Sequence, residues 1–241
     1  MLVAAAQIDG VAGGPSRAVI RGLAQRNAFL IEAEVAAHLE PFRTADTPEA
    51  EAGETNGVQW LHQTIPGDLD WPGMEFAVAL ADAGQHKAVA IVTSPESKDV
   101  VAAAVKEAQA VAEGPRASLI HDHEAIWDSF WAASGVEVDD KLMERTWYRG
   151  LYFLRCVSKP GVVAPGLFAS LTTGSPAWHG DYHTNYNIQQ TFWHCYAANH
   201  PELAEPYGRL IRSYFARARW LAKEIFDMDG AFYPHVLFAY E

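Results

Sequence analysis

Gly174 to Asn199 reads GSPAWHGDYHTNYNIQQTFWHCYAAN. The first half carries Gly174, Ser175, Pro176 and Gly180, turn formers that interrupt any periodic pattern and predict a loop. In the second half Ile188, Phe192 and Tyr196 recur at helical spacing and predict a helix over 187–199. At the junction His179, Asp181, Tyr182, His183, Asn185 and Asn187 stand between Trp178 and Trp193. A polar group buried without a partner costs about 1–3 kcal/mol. So many of them among aromatic rings therefore imply a surface that uses its hydrogen bonds. Carbohydrate recognition needs that mixture, with flat apolar faces for sugar C–H groups and amides and carboxylates for hydroxyls.

The composition bounds the rest. A chain of 241 residues holds one large domain or two small ones, and 49% hydrophobic with 20% charged residues is a normal globular balance. With 18 Lys plus Arg against 30 Asp plus Glu, the net charge of −12 argues against a nucleic-acid partner, because neutralising phosphates needs a basic surface that this sequence lacks. No apolar run reaches transmembrane length, so no membrane partner is expected. Met1 to Ala6 is apolar but has neither the basic start nor the length of a signal peptide. The expectation is a cytoplasmic protein, or a natural N-terminus that lies elsewhere; an extracellular or periplasmic location would follow if that terminus carries a signal. Cys156 and Cys195 are not spaced as a metal knuckle or redox pair. His179, His183, His194, His200 and Cys195 offer ligand types without a zinc spacing, so neither a metal nor a cofactor is expected.

Going along the chain, residues 1–27 are poorly patterned, apart from a strand candidate at Val3–Ile8 and a turn at Gly13-Gly14-Pro15. In Ala28–Leu39 the alternation of Phe29, Ile31, Ala33 and Val35 favours strand over short helix. Residues 41–56 are acidic and apolar-poor, as in an exposed loop. Val58–Ile65, Met74–Leu80 and Lys87–Thr93 read as strands bounded by Gly and Pro. From Ser97 the period changes: Val100, Val101, Ala104, Val105, Ala108 and Val111 form a one-sided helical stripe that Gly114 and Pro115 stop. Helices follow at Leu119–Ala133 and at Asp139–Val157, the latter opening on a capping Asp139. A loop covers Lys159–Ser175, the helix of the central stretch comes next, and Pro201–Phe226 is helical with a break, ended by Asp229-Gly230.

The order of features from Lys87 on resembles glycoside hydrolase family 95, the α-L-fucosidases and α-L-galactosidases. It rests on a strand ending in Thr93-Ser94 and on His123, Trp127, Phe130 and Trp131. It continues through Trp147–Tyr152, Pro165–Phe168, the WHGDYHTNYNIQQTFW run, the NHPEL of Asn199–Leu203 and the segment ending at Pro234. The resemblance implies a multidomain chain of α and β elements. The end of a β-sandwich would fill 1–95, a helical linker 96–117, and the first part of an (α/α)6 toroid 118–241. It implies that Asn185 and Asn187 orient the hydrolytic water of an inverting glycosidase and that Trp178, His179, Asp181, His183, Gln189 and Trp193 line the sugar site. An extended segment would let Asn185 and Asn187, at i and i+2, face one pocket. In the family the general acid and base are carboxyls downstream of this motif, so the expected partner besides a carbohydrate is a missing C-terminal half of the toroid.

Plainer readings stand beside these. Asn185 and Asn187 suit the cap of the helix that starts there, Trp178 and Trp193 suit a core, and Asp181 suits a loop carboxylate tied to local amides. The contrasting function is a non-catalytic carbohydrate-binding or interaction module on the same helical scaffold.

Overall fold

The computed structural model describes residues 4–8, 19–33, 37–41, 48–67, 72–167 and 177–237. The turn expected at Gly13–Pro15 lies outside them. The chain forms two compact units, Met1–Ser129 and Phe130–Glu241. Its architecture is mixed, with antiparallel sheet first and several helices after.

In the first unit the strands are β1 (Ala4–Ile8), β2 (Val19–Gly22), β3 (Ala28–Glu32), β4 (Ala37–Pro41), β5 (Glu51–Thr55), β6 (Val58–Ile65), β7 (Met74–Ala83) and β8 (His86–Thr93), followed by helix α1 (Val100–Ala112). Six of the strands form one antiparallel sheet in the order β2-β3-β8-β7-β6-β5, and β1 pairs with β4 in a second, two-stranded sheet. Strand β7 shows how the period of two positions the layers. Both of its faces are buried, but Ala77, Ala79 and Ala81 face α1 while Phe76, Val78 and Leu80 face the other way. Alanine on the sheet and Ala104 and Ala108 on the helix bring the two backbones close. The large residues on the opposite face pack with Ala37 and Leu39 of β4. Asp99 caps α1, its carboxylate accepting from the amide of Ala102 at 2.9 Å. Arg26 grips Glu107 through two nitrogens at 2.5 and 2.8 Å, tying the turn before β3 to α1.

Two strands occupy segments expected to be irregular. Glu51–Thr55 is an edge strand, not loop, because Asn56 and Gly57, at φ 52° and 76°, make the two-residue turn that folds it onto β6. Its polar sequence leaves the sheet edge charged, which discourages further pairing. Val19–Gly22 is likewise a strand, held by pairing with β3.

Helix α2 (Arg116–Ala132) contains the boundary between the units. The second unit continues with α3 (Lys141–Val157), α4 (Asn187–Ala197), α5 (Glu205–Ser213) and α6 (Phe215–Phe226), plus the short strands β9 (Tyr182–His183) and β10 (Val236–Leu237). Asp140, rather than Asp139, caps α3; its carboxylate takes the amides of Leu142 and Met143. The break expected in 201–226 falls at Tyr214, and α6 ends earlier than Asp229-Gly230, at Asp227 in the left-handed region (φ 48°). The NHPEL segment forms a knot. After α4, Asn199 turns into the left-handed region (φ 57°) and its side-chain amide donates to the carbonyl of Ala133 at 3.0 Å. His200, 1% exposed, meets Glu202 through Nδ1 at 3.0 Å and Ser134 through Nε2 at 3.2 Å. Leu203 offers its carbonyl to Ser158 Oγ at 2.8 Å. Among the described residues no helix is long and apolar enough to cross a membrane.

Candidate functional site

The polar–aromatic stretch is built by three segments that are distant in sequence. Ala177–Gly180 is a single turn of 3-10 helix, and Asp181 follows. Residues Tyr182 and His183 then pair antiparallel with Leu237 and Val236. Thr184 reinforces this pairing: its amide donates to the carbonyl of His235 at 2.9 Å, and its hydroxyl bonds to the carbonyls of His235 and Pro234. From the other side comes the loop before residue 168. Tyr182 donates its hydroxyl to the carbonyl of Ala164 at 2.6 Å, and the amide of Leu167 donates to the carbonyl of Asp181 at 2.8 Å. Gly166 passes so near Gly180 that a Cβ there would overlap the carbonyl of Gly180.

On this frame the carboxylate of Asp181, 5% exposed, accepts from Nδ1 of His183 at 2.5 Å. The His183 ring lies edge-on to Trp178 at 5.5 Å and to His235 at 5.2 Å. Trp178 is 63% exposed and sits at φ 51°, a conformation that costs an L side chain about 1–2 kcal/mol. Strain held in a bulky exposed residue is a pointer to function. Past the turn at Thr184–Tyr186, α4 presents Trp193, 53% exposed, packed edge-on against Tyr186 at 5.4 Å. Neither Trp178 nor Trp193 is a core residue, unlike Ile188, Phe192 and Cys195, which form the buried side of α4.

The placement of the expected site residues is uneven. Asp181, His183 and Trp178 come together. Gln189 donates its side-chain amide to the carbonyl of Thr184 at 2.9 Å, closing the turn. His179 lies in the 3-10 turn, and its side chain is outside the described residues. Asn185 and Asn187 are exposed, and among the described residues neither side chain makes a hydrogen bond. They do not cap α4: the cap position is Tyr186, with no side-chain bond to the helix amides. The extended geometry expected for these two asparagines is not found either, since Thr184–Tyr186 is a turn and Asn187 is already helical. It is realised four residues upstream, where Asp181 and His183 share one side of an extended segment. Among the described residues the Asp181 carboxylate is tied to a ring nitrogen, not to local amides. His235 was not singled out by its own surroundings in sequence; only the pairing of β10 with β9 brings it here. Burial holds the thiols of Cys156 and Cys195 above their ordinary range, and Tyr152 lies close to Cys156. Among the described residues no three His, Cys, Asp or Glu side chains are placed to hold a metal ion.

An exposed aromatic and amide surface thus lies on a helical unit that follows an antiparallel sheet in the chain. Residues 89–240 match the glycosyl hydrolase family 95 catalytic domain, and the chain belongs to that family. It is similar to a protein named "Probable alpha-fucosidase A" from Aspergillus niger, with 41% identity over 58 residues, 24% of this chain and 7% of that protein. The match therefore spans a small part of the relative's length.

Proposed function

We propose that this chain forms part of an α-L-fucosidase-like glycoside hydrolase that removes a terminal sugar with inversion. The family match over 89–240 carries the reading, because it includes the WHGDYHTNYN turn that the fold leaves at the surface between exposed tryptophans. In this reading the first unit is the end of a β-sandwich leading through linker helices into 118–241, the first part of an (α/α)6 toroid. Trp178 and Trp193 offer apolar faces to the sugar, and His179, Asp181, His183 and Gln189 belong to its polar surroundings. Asn185 and Asn187, whose amides have no protein partner among the described residues, orient the water. An amide does not take a proton at neutral pH. A carboxylate must accept the water proton while a carboxylic acid protonates the leaving oxygen, with the two about 6.5–9.5 Å apart. We assign both to the part of the catalytic domain that follows the asparagines.

The test uses a protein extended through the complete catalytic domain, with aryl α-L-fucoside and aryl α-L-galactoside as substrates and the anomer of the first product read by NMR. Release of the β-anomer is expected. Glycan binding without turnover of any glycoside would instead favour a non-catalytic carbohydrate-binding module.

A further inference from the structure

Three histidines of known surroundings differ in what they leave open. His200 engages both ring nitrogens and is buried, so it is structural. His123 accepts the amide of Ala24 at Nδ1 at 3.2 Å, inside the first unit. His183 is unlike both. Its Nδ1 is committed to Asp181, its side chain is 16% exposed, and its Nε2 has no hydrogen bond among the described residues.

We infer that Asp181 is a positioning residue, which holds the proton on Nδ1 of His183 so that the Nε2 lone pair is presented to a ligand hydroxyl. The class of ligand, a neutral sugar, rests on the function proposed above; the dyad itself rests on geometry. A carboxylate only accepts, so the nitrogen facing it must carry the hydrogen, and a neutral ring then has its acceptor at Nε2. Asp181 is itself poorly placed to touch a ligand. Its side chain is 6% exposed, its amide donates to the carbonyl of Trp178 at 3.2 Å, and its carbonyl accepts from Leu167 at 2.8 Å. Its backbone is held on both sides, and its buried carboxylate is held by the bond to His183. Trp178 and His235 flank the ring edge-on and limit its rotation, which leaves Nε2 as the adjustable contact. The dyad thus accounts for a buried acid that acts through a ring and for a histidine with one nitrogen unbonded among the described residues.

The experiment uses the 241-residue chain with isotopically labelled histidine, in long-range proton–nitrogen spectra at about pH 8, above the ordinary imidazole range. The expected result is a His183 signal with Nδ1 protonated and Nε2 bare, and an Nε2 shift on titration with L-fucose or L-galactose. Asp181→Asn should abolish the tautomer bias. His183→Asn gives a second readout, because its amide nitrogen replaces the Nδ1–H donor to Asp181 while nothing replaces Nε2. It should keep the thermal midpoint and weaken sugar binding about tenfold, the equivalent of one hydrogen bond. A protonated Nε2 or an unbiased tautomer mixture in the wild type overturns the dyad. No response of Nε2 to either sugar, or wild-type affinity in His183→Asn, overturns the hydroxyl contact. Turnover is scored separately in the extended protein. Its absence while His183 still answers to sugar sinks the glycosidase reading alone, and turnover beside an unbiased His183 sinks the dyad alone.

Discussion

The imidazole of His200 lies face to face with the ring of Phe130, centroids 4.0 Å apart and planes 22° from parallel. The contact sits at the crossing of the NHPEL segment with the end of α2, and it comes with two hydrogen bonds to Glu202 and Ser134. His200→Ala would open a cavity and strand the Ser134 hydroxyl, at a cost of about 2–4 kcal/mol. Asn199→Ala should cost about 1–2 kcal/mol, since it loses the bond to Ala133 and replaces Asn, which tolerates the left-handed region, with a residue that does so less well, whereas Asn199→Gly loses the bond alone. Denaturant unfolding of the three variants checks the order. A His200→Ala protein as stable as the parent would show that the stack is incidental.

Asn185→Ala and Asn187→Ala should leave stability within about 0.5 kcal/mol of the parent, because the side chains are exposed and cap nothing. If they orient water, kcat of the extended enzyme falls by about 10²-fold or more, with a smaller change in sugar affinity. Asn185→Asp, which keeps the shape but exchanges a donor for a charge, should lose kcat as well. Paired measurement of kcat and thermal midpoint decides; near-normal turnover in both alanine variants removes the catalytic role.

Gly166→Ala should disrupt the site from behind. The new methyl group meets a backbone carbonyl at Gly180, which cannot rotate away as a side chain can. Overpacking of this kind costs about 1–3 kcal/mol. Because Leu167 also donates to Asp181, the shift reaches the dyad. The expected outcome is a lower thermal midpoint together with weaker response to sugar. A variant with unchanged His183 spectra would place the close approach outside the site's support.

The pH dependence of the first unit follows from His123. Burial lowers its proton affinity, Arg21 lowers it further, and Glu124 opposes both. The Ala24 amide also needs the Nδ1 lone pair. A histidine whose folded value lies below its unfolded value of about 6.5 binds more protons when unfolded. Its stabilising contribution is complete above that pH and is lost as pH falls through the window beneath it. Glu32, held low first by its bond to Arg116 and also by Arg21, is lost only below the ordinary carboxylate range, so the two losses separate. Unfolding measured from pH 7.5 to 5 should show the first slope, and His123→Asn, which keeps an acceptor near Nδ1 but does not titrate, should flatten it.

Local pattern determined the elements that carry their own apolar signal. The stripe from Val100 to Val111 and the helix at Asn187 are legible because one face is apolar over several turns, and the run from Lys87 to Thr93 because it is a short, Val- and Ile-rich apolar stretch stopped by Ser94 and Pro95. The ordered aromatic and amide motifs after Lys87 likewise point to the family whose catalytic domain matches 89–240. What the sequence could not show is whatever depends on pairing at a distance. Glu51–Thr55 has no large apolar residue and is a strand only because an Asn-Gly turn lays it on β6. Asp181 and His183 become a dyad because Tyr182 and His183 are pinned to Val236 and Leu237, more than fifty residues on, and because Gly166 lets a loop close behind them. Two identical side-chain chemistries also part company there. His200 and His183 each meet a carboxylate two residues away, yet one is sealed against Phe130 and bonded at both nitrogens, while the other has no hydrogen bond at Nε2 among the described residues. Hydrogen-bond partners and exposure are properties of the packed chain, so only the tertiary structure could separate a histidine bonded at both nitrogens from one bonded at a single nitrogen among the described residues.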